Sequence, residues 1–182
     1  ASQHLFFMPY EVALTDLPAG ASAPIALNGG LVAPAGCEIA FDQVVAAGTL
    51  DTHYGHGPSS EFAVTFLPEA SVPAEVADYL LPGDTQYWSI DLEAGAVDGP
   101  IELTFRYDPD LLPAGLATAD LVVLHYTGEA WETLAPLAHD VGAHTLTVRT
   151  DGLSPFVLGA VPEPSALGLL TLGGLSLLRR RR

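Results

Sequence analysis

The sequence has no lysine, one cysteine and one methionine among its 182 residues. With Cys37 alone, no disulfide can form within the chain, and a lone thiol is either buried or a route to a dimer. Positive charge is equally scarce: six arginines face 22 acidic residues, and four of the six stand together at positions 179–182. Without residues 161–182, which also take Glu163, the body keeps only Arg106 and Arg149 against 21 carboxylates, a net charge of −19. A surface of that sign repels phosphate and excludes nucleic acid as a partner. An anionic polysaccharide is repelled as well unless a divalent cation bridges the two. The plainest consequence is solubility and resistance to self-association. Catalytic signatures are also missing. There is no Gly-x-Ser-x-Gly elbow, no phosphate loop, no His-Glu-x-x-His pair and no EF-hand loop of alternating aspartates.

What the body has is a period of two, the strand period. In 37–42, Cys37, Ile39 and Phe41 share one face, which places Cys37 inside and inert. Phe62, Val64 and Phe66 share a face in 61–67, and Trp88, Ile90 and Leu92 do so in 87–92. In 101–107, Ile101, Leu103, Phe105 and Tyr107 point in while Glu102, Thr104 and Arg106 point out. Residues 121–126 are apolar on both faces, as in a central strand, and 145–149 alternate again through Leu146 and Val148. Near the N-terminus, 11–15 alternate with Val12 and Leu14 on one face. Asn28-Gly29-Gly30 reads as a tight turn between strands at 25–27 and 31–32. Thr127-Gly128-Glu129-Ala130 joins 121–126 to 131–134 as a hairpin, and the proline-bearing 108–115 is a longer crossover. Fifteen prolines and 18 glycines leave little room for long helices; 74–81 is the one short candidate. A chain of this length is ordinarily one domain with a real core. The pattern predicts an all-β body, an antiparallel β-sandwich of immunoglobulin-like or jelly-roll-like kind, over residues 1–160. Trp88, Ile90, Leu103, Phe105, Leu146 and Val148 are its expected core.

Few residues suggest chemistry. Asp51-Thr52-His53-Tyr54-Gly55-His56-Gly57 carries two histidines three apart beside carboxylates, a weak candidate for a borderline metal such as Zn²⁺. The competing reading is a polar, glycine-rich loop tip. Asp108-Pro109-Asp110 with backbone carbonyls is a weak Ca²⁺ candidate. His4, His125, His139 and His144 are isolated, and His125, inside an apolar strand, reads as a satisfied half-buried residue.

The last 22 residues differ from all of this. Pro162-Glu163-Pro164 is a stiff, extended spacer. Residues 165–178 follow, 14 positions with seven leucines and no charge, then Arg179, Arg180, Arg181 and Arg182. Fourteen helical residues reach about 21 Å against roughly 30 Å of hydrocarbon, short for a permanent span. The arginines would hold their end in the cytoplasm and set the topology, leaving the body outside. That topology requires an N-terminal signal, and a chain opening Ala1-Ser2 suggests one already removed. The order of parts resembles the PEP-CTERM sorting signal of Gram-negative bacteria. The resemblance implies export, transient inner-membrane anchoring, processing by exosortase with Pro162, Glu163 and Pro164 as the recognition motif, and delivery to the cell surface or extracellular matrix. Proteins with this tail are commonly associated with exopolysaccharide. Residues 87–159 are similar to β-sandwich modules that precede surface-sorting tails.

The sequence therefore predicts a β-sandwich followed by a short apolar helix. It predicts a non-enzymatic exported protein, structural or adhesive in exopolysaccharide or biofilm, with no resident cofactor. Two rivals stand beside it. One is a carbohydrate- or Ca²⁺-dependent binding module. The other is a glycan-active hydrolase using two carboxylates, for which no pair can be nominated.

Overall fold

A computed structural model describes residues 11–32, 36–58, 79–81, 83–153 and 155–161. Nine strands form there: β1 (Glu11–Leu17), β2 (Ile25–Leu27), β3 (Cys37–Pro58), β4 (Asp84–Arg106), β5 (Leu121–Tyr126), β6 (Trp131–Leu134), β7 (Ala138–Asp140), β8 (Thr145–Thr150) and β9 (Pro155–Ala160). Every pairing between them is antiparallel. Among the described residues the only helical elements are 3-10 turns of three residues, and none is long and apolar enough to cross a membrane. The expected strand at 61–67, most of the helix at 74–81 and the apolar helix at 165–178 lie outside the described residues.

The frame is the β3–β4 hairpin, paired from Cys37↔Phe105 to Pro58↔Asp84. Residues 87–92 and 101–107 read as two strands in sequence, yet 87–92 and 101–106 both lie on β4. The break between them is a change of phase. In β4 the buried face runs through Trp88 and Ile90, then through Ile101, Leu103 and Phe105. In β3 it runs through Leu50, Thr52 and Tyr54 at one end and Cys37 and Ile39 at the other. Register shifts between Phe41 and Leu50 absorb the change. Such bulges bend and twist a ribbon, and here they fold it in half. Trp88 and Phe105 would stand about 56 Å apart on a straight strand at roughly 3.3 Å per residue; their ring centroids are 4.8 Å apart.

The two halves of the ribbon belong to two facing layers. The 84–94 half pairs with β9, which leads on to β5 and β6, while the matching half of β3 carries β1. The 101–106 half pairs with β8, which carries β7, and its β3 partner carries β2. One core fills the space between, with Trp88, Ile90, Leu103, Phe105, Leu146 and Val148 all fully buried in it, as expected. Its aromatic line runs from Tyr54 to Trp88 to Phe105 to Phe156, at centroid spacings of 5.6, 4.8 and 5.4 Å. β5 lies between β9 and β6 and is buried on both faces: Val123 faces the main core, and Leu124 joins Tyr87 and Val157 in a second cluster on the opposite side.

Three local expectations change. Asn28 and Gly29 do turn at positive φ, but 31–32 continue as a 3-10 turn, and β2 pairs with β3 instead. On β1, Leu14 lies opposite Asp51 and is exposed, while Leu17 is buried. Residues 51–57 are strand and not a loop tip. Gly55 sits there because a Cβ would run into the Tyr87 ring on the neighbouring strand, so an aromatic residue covers a glycine across the ladder.

Candidate functional site

The histidines singled out by sequence are separated by the strand that holds them. His53 lies opposite Ser89 and His56 opposite Gln86, with no register shift between, so the two rings leave opposite faces of β3. His53 Nε2 is 3.0 Å from Asp51 Oδ2, and His56 Nδ1 is 3.6 Å from Asp84 Oδ2. Each is a histidine–carboxylate pair, and the two pairs do not converge. Among the described residues no group of three His, Cys, Asp or Glu side chains is placed to hold a metal.

Asp108 is occupied structurally. Its Oδ1 accepts from Asp110 N–H at 3.0 Å and caps the 3-10 turn Pro109–Leu111. The buried Gln86 clamps the same residue, accepting from Asp108 N–H at 2.7 Å and donating to its carbonyl at 3.0 Å. Cys37 is fully buried, and burial with the charge of Glu38 pushes its thiol far above the ordinary range, so it is no nucleophile. His139 and His144, unremarkable in sequence, flank Tyr107. The phenol oxygen lies 3.0 Å from His139 Nε2, and the His144 ring meets the tyrosine edge-on at 5.7 Å. Burial, and after it the charge of Asp140, raises the Tyr107 pKa.

One concave site stands out. A cleft of about 620 Å³ opens between the β5–β6 hairpin and the β8–β9 connection. Its floor is His125, 3% exposed and stacked on Phe156 at 4.6 Å with the planes 10° apart. The hairpin sets the next contact. The loop 127–130 is closed by Thr127 N–H to the Ala130 carbonyl, so Tyr126 pairs with Trp131 and His125 with Glu132. Glu132 Oε1 lies 2.8 Å from His125 Nδ1, and Thr150 Oγ1, arriving from β8, is 3.4 Å from the same nitrogen. A carboxylate at that distance requires the proton on Nδ1, so in the neutral ring Nε2 carries a lone pair. That Nε2 is buried with no hydrogen-bond partner. Around the floor stand Thr127, Leu134, Arg149, Asp151 and Leu153. Arg149, next to Thr150 on β8, borders the cleft, and its guanidinium lies 3.6 Å from Glu102.

Nothing in the sequence drew these residues together, although the hairpin alone would have set Glu132 opposite His125. Thr150, Asp151 and Arg149 arrive only through the β4–β8 ladder. The sorting-motif residues Pro162, Glu163 and Pro164 and the cluster Arg179, Arg180, Arg181 and Arg182 lie outside the described residues.

No curated protein and no solved structure matches this chain. One family model does, described as the PEP-CTERM protein-sorting motif, over residues 160–182. The β-rich body thus carries a PEP-CTERM sorting motif, the mark of an exported protein anchored transiently in the membrane by its tail and processed through exosortase.

Proposed function

We propose that the body is a non-enzymatic structural or adhesive element of the cell surface or extracellular matrix, delivered there by the tail and resident among exopolysaccharide. The match over residues 160–182 carries this reading, because it specifies handling rather than chemistry. The body supports it in three ways. Its one thiol is buried and inert, its histidine pair at 53 and 56 is split across a strand, and its acidic loop at Asp108 serves as a turn cap. The role needs no resident cofactor, and Ca²⁺ would act on the acidic surface by screening.

The tail sets the test. Its 14-residue run is long enough to hold the chain at the inner membrane and short enough to be released. Intact-mass spectrometry of protein taken from the host surface should give a mature form lacking Arg179 to Arg182 and most of 167–178. A mature mass that keeps the arginine cluster overturns the delivery step. Turnover of simple glycosides by the full chain would replace the structural role with the hydrolase.

A further inference from the structure

We propose that the cleft over His125 is a binding site for an uncharged carbohydrate. Its volume of about 620 Å³ falls within the range of small-molecule sites. The lining narrows the occupant. Glu132 and Asp151 stand in the wall of a body with a net charge of −19, so an anionic ligand meets like charge on approach. Arg149 in the same lining opposes a bare cation, and among the described residues no metal-ligating trio converges there. An apolar ligand would strip water from Thr127, Glu132, Thr150 and Asp151 and return no hydrogen bonds.

A neutral polyol satisfies every wall. Its hydroxyls donate to the two carboxylates and exchange hydrogen bonds with Thr127 at the rim. Leu134 and Leu153 offer apolar surface to the C–H face of a sugar ring. The floor adds the His125 ring, whose Nδ1 lies 2.8 Å from Glu132 Oε1, so a ligand seated over it changes the surroundings of that ring. The inference gives the adhesive role a partner, but it rests on the cleft and not on the tail, so the two fail separately.

The test uses the full chain in a sugar-free zwitterionic detergent. Maltohexaose, cellohexaose and a galactohexaose serve as neutral probes and an alginate hexamer as the anionic one. At least one neutral probe should bind saturably and shift the His125 ring signals in NMR, while alginate should do neither. Glu132→Gln and Asp151→Asn change exposed side chains of the lining without changing their size, and far-UV circular dichroism checks that each variant folds. Each should weaken binding about tenfold or more, with tail processing unchanged. Absence of saturable binding by all three neutral probes overturns the proposal. So does equal binding of alginate, or unchanged affinity in both variants.

Discussion

Residues 51–57 and the cleft over His125 are opposites. The first gathers two histidines and an aspartate within a few positions, and the fold disperses them. The second draws on residues from 125 to 153, and the fold assembles them. The reason is the pleat. Side chains an odd number of positions apart on an unbroken strand leave opposite faces, so closeness along β3 forbids His53 and His56 from cooperating. Residues joined across a ladder are held side by side whatever their sequence separation, as His125 and Glu132 are.

The largest effect expected from this contrast lies beneath the cleft. Phe156 supports the His125 ring and touches Phe105 in the core. Phe156→Ala should destabilise by about 3–5 kcal/mol in urea unfolding, through lost transfer energy and a cavity. A loss below about 1 kcal/mol, well under that range, would mean that the ring does not anchor the floor.

His125→Ala comes next. It removes a buried ring that Glu132 and Thr150 both contact, and should cost about 1–3 kcal/mol. His53→Ala and His56→Ala remove only partly exposed histidine–carboxylate contacts and should each change stability by less than about 1 kcal/mol. Equal losses at all three positions would erase the distinction between the gathered and the assembled site.

Two other groups that are isolated in sequence and buried by the fold sharpen the contrast through pH. Burial, with Glu38, raises the Cys37 thiol, and burial, with Asp140, raises the Tyr107 phenol. Both are therefore held neutral more firmly in the folded chain than in the unfolded one. That stability is complete below the unfolded values, about 8.5 for cysteine and 10 for tyrosine, and is lost as pH rises above them. Tm should hold to about pH 8 and fall from about 9 to 11, and Cys37→Ala should remove the earlier part of the fall. An unchanged curve in that variant would show that Cys37 is not the group responsible.

The smallest effect concerns metals and salt. Stoichiometric Zn²⁺ should leave Tm unmoved, since the two histidine–carboxylate pairs point apart. A rise abolished by either His53→Ala or His56→Ala would restore a shared site. Ca²⁺ should stabilise the acidic body no more than NaCl of equal ionic strength; a clear excess would point to a specific Ca²⁺ site.

By itself, the sequence determined the class of fold and most of the inward-facing residues. Period-two alternation over 37–42, 87–92, 101–107 and 145–149 is a local property, and burial of one strand face follows from it directly. It also determined the tail, because the Pro-Glu-Pro spacer, apolar run and arginine cluster are contiguous and their order alone carries the signal matched at 160–182. Tertiary structure decided what alternation cannot express. The phase break between 92 and 101 looked like a boundary between strands, and the bulged ladder made it a bend that lays Trp88 against Phe105. The cleft was decided at the same level. Its residues come from β5, β6, β8 and the turn after β8, and only the closing of two layers over one core brings them to a common wall.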